Sequence, residues 1–227
     1  MKLFSRSKES SDPADIIHNS FIAVADKIYD ALEEECYHWS KPWGVKRFES
    51  LVLTKFMMDY SFKNLAENKL KDDEKIAFAN ICSNEFSKLF NDEFSDIGLN
   101  FDDMQDELQQ KIDAYYDARR ESKPPYCWHK IYQLITRSKS KEEIEDDVVK
   151  KSAGLELIKG NENFAEMVPQ YESQICILKE KVNAFESAEM MLPHMVRFTR
   201  DKLQAINLKK IKALSKKLAK KDKGKKK

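Results

Sequence analysis

The stretch Val45–Leu65, VKRFESLVLTKFMMDYSFKNL, decides the fold, because its apolar residues recur at helical spacing around most of the helix circumference. Eleven of its 21 residues are apolar. Four of its polar residues, Arg47, Ser50, Thr54 and Ser61, form a narrow strip along the helix. A helix that is apolar nearly all round is covered by other helices on several sides. The stretch therefore predicts a central helix, running to about Leu70, in an all-α protein.

The composition of the 227-residue chain is typical of a helical protein that does not span a membrane. Hydrophobic residues make up 41% and charged residues 35%, and only five glycines and six prolines are present, too few for a turn-rich β-sandwich or barrel. No apolar run reaches the ~18 residues that span a bilayer. The first eleven residues are polar and lack the apolar core of a signal peptide.

Four widely spaced cysteines are expected to be reduced, buried and structural, which together with the missing signal peptide predicts a cytoplasmic location. They are Cys36, Cys82, Cys127 and Cys176.

Start and stop signals divide the first part of the chain into five helices, which predicts a globular bundle over 12–137 after a disordered segment 1–11. Asp12-Pro13 starts a helix that runs to about Trp39, and Asp72 or Asp73 caps the third helix. The boundaries of the later helices are set by Gly98, which ends the third, Asn100, which caps the fourth, and Pro124-Pro125, which separates the fourth from the fifth.

A helical extension is predicted over 138–202, opened by a capping box at Ser140 and Glu143 and interrupted by a turn around 154–163. Beyond this turn, residues spaced alternately by four and three form what we call the heptad seam. Its members are Phe164, Val168, Tyr171, Ile175, Leu178, Val182, Phe185, Glu189, Leu192, Val196, Thr199, Leu203 and Ile206. Pro193 predicts a kink or break near Glu189–Leu192.

The heptad seam has two interpretations. The favoured one is two consecutive helices, 164–192 and 193–221, each laying one face on the body. The other is a bent rod that pairs with a second copy. The second interpretation predicts a homodimer or a protein partner bound through residues 164–206.

The net charge of +1 conceals an acidic body and a basic tail. Residues 201–227 contain twelve Lys and two Asp, a net charge of +10, while the first 200 residues contain 28 basic and 37 acidic groups, a net charge of −9. The domain 203–227 is predicted to be a basic amphipathic helix followed by a disordered end. The residues predicted to bind a polyanion are Lys209, Lys210, Lys212, Lys216, Lys217, Lys220 and Lys221.

A tail of this kind is expected to bind nucleic acid or an acidic surface without distinguishing base sequences. Lysines act on phosphates as point charges. No aromatic residue follows Phe198, so the tail cannot stack on bases. Two alternatives stay open. The segment suits an anionic membrane surface, or its apolar strip packs on the acidic body while the lysines keep the protein soluble.

Motifs for catalysis or metal binding are nearly missing from the sequence. The isolated glycines form no phosphate-binding loop, and the Glu35-x-x-His38 pair lacks the second such pair that a di-iron site needs. A ligand pocket at the aromatic turn of residues 36–48 is a candidate, although aromatic packing is the favoured interpretation. Its residues are Glu35, His38, Trp39, Trp43 and Trp128.

These patterns together predict a non-catalytic helical interaction or adaptor protein without a cofactor or metal, whose tail contacts a polyanion. The alternatives are a small-molecule or metal-binding helical-bundle enzyme using the aromatic turn, and a peripheral membrane protein anchored by the C-terminal helix.

Overall fold

The computed structural model describes residues 12–35, 42–66 and 70–204. Within these ranges the chain forms seven α-helices and no strand, which confirms the all-α prediction. The helices are α1 Pro13–Glu35, α2 Trp43–Ala66, α3 Asp72–Phe94, α4 Phe101–Glu121, α5 Tyr126–Thr136, α6 Lys141–Lys159 and α7 Val168–Gln204. Short 3-10 helices cover Ser95–Ile97 and Glu162–Met167. The predicted disordered N-terminus and the basic tail lie outside the described residues.

Local capping signals place most of the helix ends where the sequence predicts them. The Asp12 carboxylate accepts a hydrogen bond from the Ala14 amide at 3.0 Å, at the start of α1. The Asn100 side-chain oxygen accepts from the Asp103 amide at 3.0 Å in the same way. Gly98 has φ of 78°, a left-handed conformation that glycine adopts without steric cost.

Several helix boundaries differ from the prediction. Helix α2 ends at Ala66 rather than near Leu70, and α7 begins at Val168 rather than at 164. Helix α3 has Lys71 rather than Asp72 or Asp73 as its cap, because the Glu74 carboxylate reaches back to accept from the Lys71 amide at 3.0 Å. The turn expected around 154–163 is narrower than predicted, since α6 continues through Gly154 and ends at Lys159.

The predicted break at Pro193 is wrong, because α7 is one uninterrupted helix from Val168 to Gln204. Side chains on both sides of the proline are buried, including Phe185 and Leu192 before it and Met195 and Thr199 after it. Burial on both flanks outweighs the cost of one lost backbone hydrogen bond, so the helix passes through the proline.

The described chain falls into two compact units that interleave along the sequence. Among the described residues, unit 1 comprises 12–27, 51–66, 70–108 and 195–204. Unit 2 comprises Ile28–Ser50 and Gln109–His194. This division differs from the sequential domains 12–137, 138–202 and 203–227, which stay a prediction.

The core of unit 1 is rich in phenylalanine. The ring centroids of Phe21 and Phe86 lie 5.6 Å apart, and Phe101 packs edge-on against Phe86 at 5.9 Å. Most apolar residues of α1 and of the central helix α2 are buried, whereas Val45 is exposed and Phe48 and Tyr60 are only partly buried. The buried ones include Ile17, Phe21, Val24, Leu51, Val52, Leu53, Phe56, Met57 and Met58 in unit 1, and Ile28 and Leu32 in unit 2.

The core of unit 2 joins α5 to the middle of α7. Tyr132 and Phe185 have ring centroids 4.9 Å apart, and both side chains are almost fully buried. His129 packs edge-on against the same Phe185 ring at 5.8 Å, and its Nε2 lies 3.3 Å from a carboxylate oxygen of Glu189. Glu189, a polar member of the heptad seam, therefore has a partner on α5.

The polar strip of α2 is buried together with its apolar residues, and Arg47, Ser50, Thr54 and Ser61 are all less than a tenth exposed. Within unit 2, Glu49 is 2% exposed and pairs with Lys111 and with the Tyr115 hydroxyl, which lies at 3.3 Å. Such pairing offsets the cost of burying a polar or charged group, whereas the buried Ser61 hydroxyl has no hydrogen-bond partner among the described residues. The central helix therefore carries a buried polar network as well as the core.

Candidate interaction surface on helices α6 and α7

A cleft of about 670 Å³ lies between α6 and the first half of α7, inside unit 2. Four of its lining residues come from α6 and four from α7. They are Asp147, Lys150, Lys151, Gly154, Tyr171, Gln174, Ile177 and Leu178. The cleft combines Tyr171, Ile177 and Leu178 with the charged Asp147, Lys150 and Lys151.

Lys151 is the polar centre of the cleft. Its Nζ donates a hydrogen bond to the Gln174 side-chain oxygen at 2.6 Å and lies 5.0 Å from the centroid of the Tyr171 ring. The ammonium group of Lys151 is thus held by an amide oxygen and an aromatic face.

Asp147 forms the end of the cleft near the start of α6. Its carboxylate accepts a hydrogen bond from Lys139 at 2.6 Å. That hydrogen bond lowers the pKa of Asp147, and it raises the pKa of Lys139. The carboxylate is therefore kept ionised.

The heptad seam changes in burial along α7. Of its six members from Phe164 to Val182, only Ile175 is buried, whereas four of the six from Phe185 to Leu203 are buried. The second half of the seam is occupied by the rest of the chain. The first half of the seam is mostly exposed or partly buried.

Exposed apolar side chains concentrate in the same region. Twelve large apolar side chains are exposed among the described residues, and five of them fall between positions 149 and 177. These five are Val149, Leu157, Phe164, Met167 and Ile177. Such concentration in a short stretch is typical of an interaction surface, whereas single exposed apolar residues are ordinary.

A second apolar feature lies on the solvent-exposed side of α6. Val149, Ala153 and Leu157 follow one another at intervals of four residues, and we call them the outer stripe. Val149 is 67% exposed and Leu157 is 78% exposed. The middle of the stripe lies about 160° around the helix from the buried Leu155, so it faces away from the core.

Acidic residues border the outer stripe. Glu142, Glu145, Asp146 and Glu156 lie on the same side of α6, and Lys150 is the base that accompanies them. Within the described part of the chain, Glu142, Asp146 and Glu156 have no cation at ion-pair distance, while Glu145 is 3.9 Å from Lys141. The outer stripe is thus an apolar row with an acidic margin.

The residues predicted from sequence as sites are only partly described. All seven lysines of the predicted polyanion-binding set, together with His38, Trp39 and the side chain of Glu35, lie outside the described residues. Trp43 begins α2 with 55% of its surface exposed, whereas Trp128 is buried with the Arg119 guanidinium 4.8 Å from its ring centroid. The pocket at the aromatic turn therefore stays a prediction.

Titratable side chains do not gather into a metal site in the described ranges, where no group of three His, Cys, Asp or Glu could hold an ion. His18 Nδ1 lies 3.2 Å from Glu85 in unit 1. Cys82 and Cys127 are buried as predicted, but the expectation is wrong for Cys176, which is exposed on α7. Its position on the outer side of the helix, one residue after the buried Ile175, accounts for the difference.

None of the helices in the described ranges is both long enough and apolar enough to cross a membrane. The cytoplasmic location and the membrane-surface alternative stay predictions. Comparison with known proteins finds no matching family model, no similar curated protein and no similar solved structure. The surface on α6 and α7 must therefore be interpreted from its own chemistry.

The outer stripe was missed by sequence reasoning. Its signal was present, because apolar residues four apart on a helix lie on one side. The pattern is short, however. The same stretch of sequence also contains the apolar residues of the buried face, Ile144 and Leu155, and their spacing is the stronger signal. Only the burial of one face identifies the other as exposed.

Proposed function

We propose that the chain is a non-catalytic helical interaction protein that binds a protein partner in the cleft between α6 and α7. The observation that carries this proposal is the largely unburied first half of the heptad seam, with Phe164 and Ile177 exposed, beside a cleft of about 670 Å³. The partner is a helix or extended segment with an apolar side, because the first half of the heptad seam offers a row of partly exposed apolar side chains.

Charged groups at the cleft add specificity to this apolar contact. Lys150 is exposed at the edge, and Asp147 is held ionised on the same helix. A partner with an acidic residue opposite Lys150 gains an ion pair at the rim, where charges influence the association rate more than the affinity.

We also propose that the lysine-rich tail binds a polyanion. Eleven lysines and one aspartate lie in residues 205–227. Lysines neutralise phosphates without sequence readout, so the affinity depends strongly on salt. An adaptor of this kind joins a protein partner, bound through the cleft, to a nucleic acid or another acidic polymer.

A photo-reactive residue at position 177 tests the cleft. Ile177 lines the cleft and is 46% exposed. We expect a discrete cross-linked protein from this position and none from position 107, where Glu107 is exposed on α4. Equal cross-linking from both positions would contradict a specific surface.

The captured partner then permits a quantitative test. Ile177→Asp should weaken its binding by roughly tenfold or more, equivalent to about 1.4 kcal/mol, because the change removes an apolar contact and buries a charge. Met190→Asp is the matched control, since Met190 is also an exposed apolar residue of α7 but does not line the cleft. An equal loss in both variants would argue against the cleft.

The tail is tested in the full chain by replacing its seven predicted polyanion-binding lysines. The glutamine variant should lose duplex DNA binding, whereas the arginine variant keeps the charge and should retain it. Wild-type affinity should fall steeply with salt. Duplex binding by the glutamine variant at wild-type strength would remove the polyanion role.

A further inference from the structure

We propose that the outer stripe of α6 is the docking site for the lysine-rich C-terminal segment of a second copy of this chain, so that two copies exchange their segments. The inference goes beyond the proposed binding of a partner in the cleft. It concerns the side of α6 that faces away from the buried Leu155. The described chain ends at Gln204, and the 23 residues that follow carry the matching chemistry.

Shape is the first match. The outer stripe offers Val149, Ala153 and Leu157 in one row, with no large side chain at its centre. The C-terminal segment carries its own apolar row at helical spacing, formed by Leu208, Ile211, Leu214 and Leu218. A row with a small residue at its middle lets a second helix approach closely and bury both apolar sides.

Charge is the second match. The acidic margin of the stripe consists of Glu142, Glu145, Asp146 and Glu156. At 100° per residue, the lysines at the edges of the segment's apolar row are Lys210, Lys212, Lys217 and Lys221. These lysines meet the acidic margin when the apolar rows face each other, so apolar burial and charge attraction act in the same orientation.

Exchange between two copies satisfies both docking sites at once. Each copy supplies one stripe and one segment, so a pair with two-fold symmetry contains two identical contacts. Once the first contact has formed, the second forms inside the pair at an effective concentration on the order of 1 mM. In the sequence pattern at 100° per residue, Lys209, Lys216 and Lys220 fall opposite the apolar row, so they are left for a polyanion.

The test is the molar mass of the full chain by light scattering at tens of micromolar, in low and high salt. We expect a dimer in low salt that dissociates as salt increases, since screening weakens the charge contacts. Val149→Ser with Leu157→Ser should reduce the apparent mass about twofold in low salt, to that of the monomer. These positions are exposed, so the helix itself should remain folded.

A second pair of variants isolates the acidic margin. Glu142→Gln, Asp146→Asn and Glu156→Gln together should also give the monomer. The matched control is Asp92→Asn, Asp106→Asn and Glu107→Gln, which removes the same charge from exposed positions of α3 and α4 and should stay dimeric. If the control dissociates equally, net charge alone governs association and the docking site is wrong.

Two further results overturn the exchange. A monomeric wild-type protein in low salt would exclude it. A dimer that survives both stripe substitutions would place the contact elsewhere, for example at the first half of the heptad seam. Duplex binding by the tail can be measured independently of dimer formation, because the variant carrying Val149→Ser and Leu157→Ser keeps every lysine. A dimer without duplex binding refutes only the polyanion role, and a duplex-binding monomer refutes only the exchange.

Discussion

A Cβ atom placed on Gly154 of α6 lies 3.1 Å from Cε1 of Tyr171 on α7, so the tyrosine ring packs where α6 has no side chain. The ring in turn supports the ammonium group of Lys151 at 5.0 Å. One small residue inside a helix thus sets the shape of the cleft.

Gly154→Ala should stabilise the protein by less than about 1 kcal/mol. Alanine gains roughly 1 kcal/mol in helix propensity over glycine, but the Tyr171 ring must move by a few tenths of an ångström. Tyr171 is only partly buried, so it can move. Urea denaturation measures the change, and Ala79→Gly on the exposed side of α3 calibrates the propensity scale. A loss of stability would show that the ring is fixed.

Ser140→Ala should reduce the free energy of unfolding by about 1 kcal/mol. The Ser140 hydroxyl accepts from the Glu143 amide at 3.2 Å, and the Glu143 carboxylate accepts from the Ser140 amide at 2.8 Å. The substitution leaves one helix-terminal amide without its side-chain acceptor. Ser173→Ala, at an exposed position within α7, is the control, and an equal loss there would contradict a specific capping effect.

Local signals explain why much of the fold was predictable. The caps at Asp12, Asn100 and Ser140 act within three residues, so the sequence around each helix start contains the whole interaction. The apolar periodicity of α1 and α2 likewise predicts which side of each helix is buried, and this prediction does not require the partner helix to be known.

Long-range contacts explain what was not predictable. Glu49 pairs with Lys111, 62 residues later, and no spacing rule joins two such positions. The same applies to Glu189, which interrupts the heptad seam in sequence but lies beside His129 in space. The cleft and the outer stripe also depend on which side of α6 is covered, which the sequence alone does not state.

Pro193→Ala should stabilise the protein by about 1–3 kcal/mol. Proline in a helix interior removes one backbone hydrogen bond and costs about 3 kcal/mol relative to alanine, while local adjustment of the helix recovers part of that cost. Since α7 is continuous through this position, alanine can adopt the existing backbone. Thermal or urea unfolding measures the gain. An unchanged midpoint would indicate that the proline is needed for the packing of its neighbours.

Thiol labelling should distinguish the cysteines by burial. Burial is the main cause that raises the pKa of Cys82, and the nearby Asp59 carboxylate raises it further. A thiol with a raised pKa forms little of the reactive thiolate. We expect a thiol reagent to label the exposed Cys176 in the native protein, and Cys82 and Cys127 only on unfolding. Site mapping by mass spectrometry provides the measurement, and native labelling of Cys82 at the rate of Cys176 would contradict it.

The free energy of unfolding should fall at alkaline pH because the hydroxyl of Tyr115 is buried. Burial raises the pKa of its hydroxyl well above the ordinary value, and the charge of Glu49 and the hydrogen bond to it raise the pKa further. In the unfolded chain this pKa is about 10. The folded state therefore keeps the proton that the unfolded state releases, so this contribution is fully present below about pH 10 and is lost as the pH rises further.

Tyr115→Phe provides the test of this pH dependence. At neutral pH it should cost about 1 kcal/mol through the lost hydrogen bond to Glu49. Between about pH 9 and 11 its free energy of unfolding should then fall less than that of the wild type, because the phenylalanine ring has no proton to release. Tyr126→Phe, at an exposed ring of α5, controls for the loss of a hydroxyl elsewhere in unit 2. Urea midpoints across this range measure both variants, and parallel curves for Tyr115→Phe and the wild type would show that Tyr115 does not carry the alkaline loss of stability.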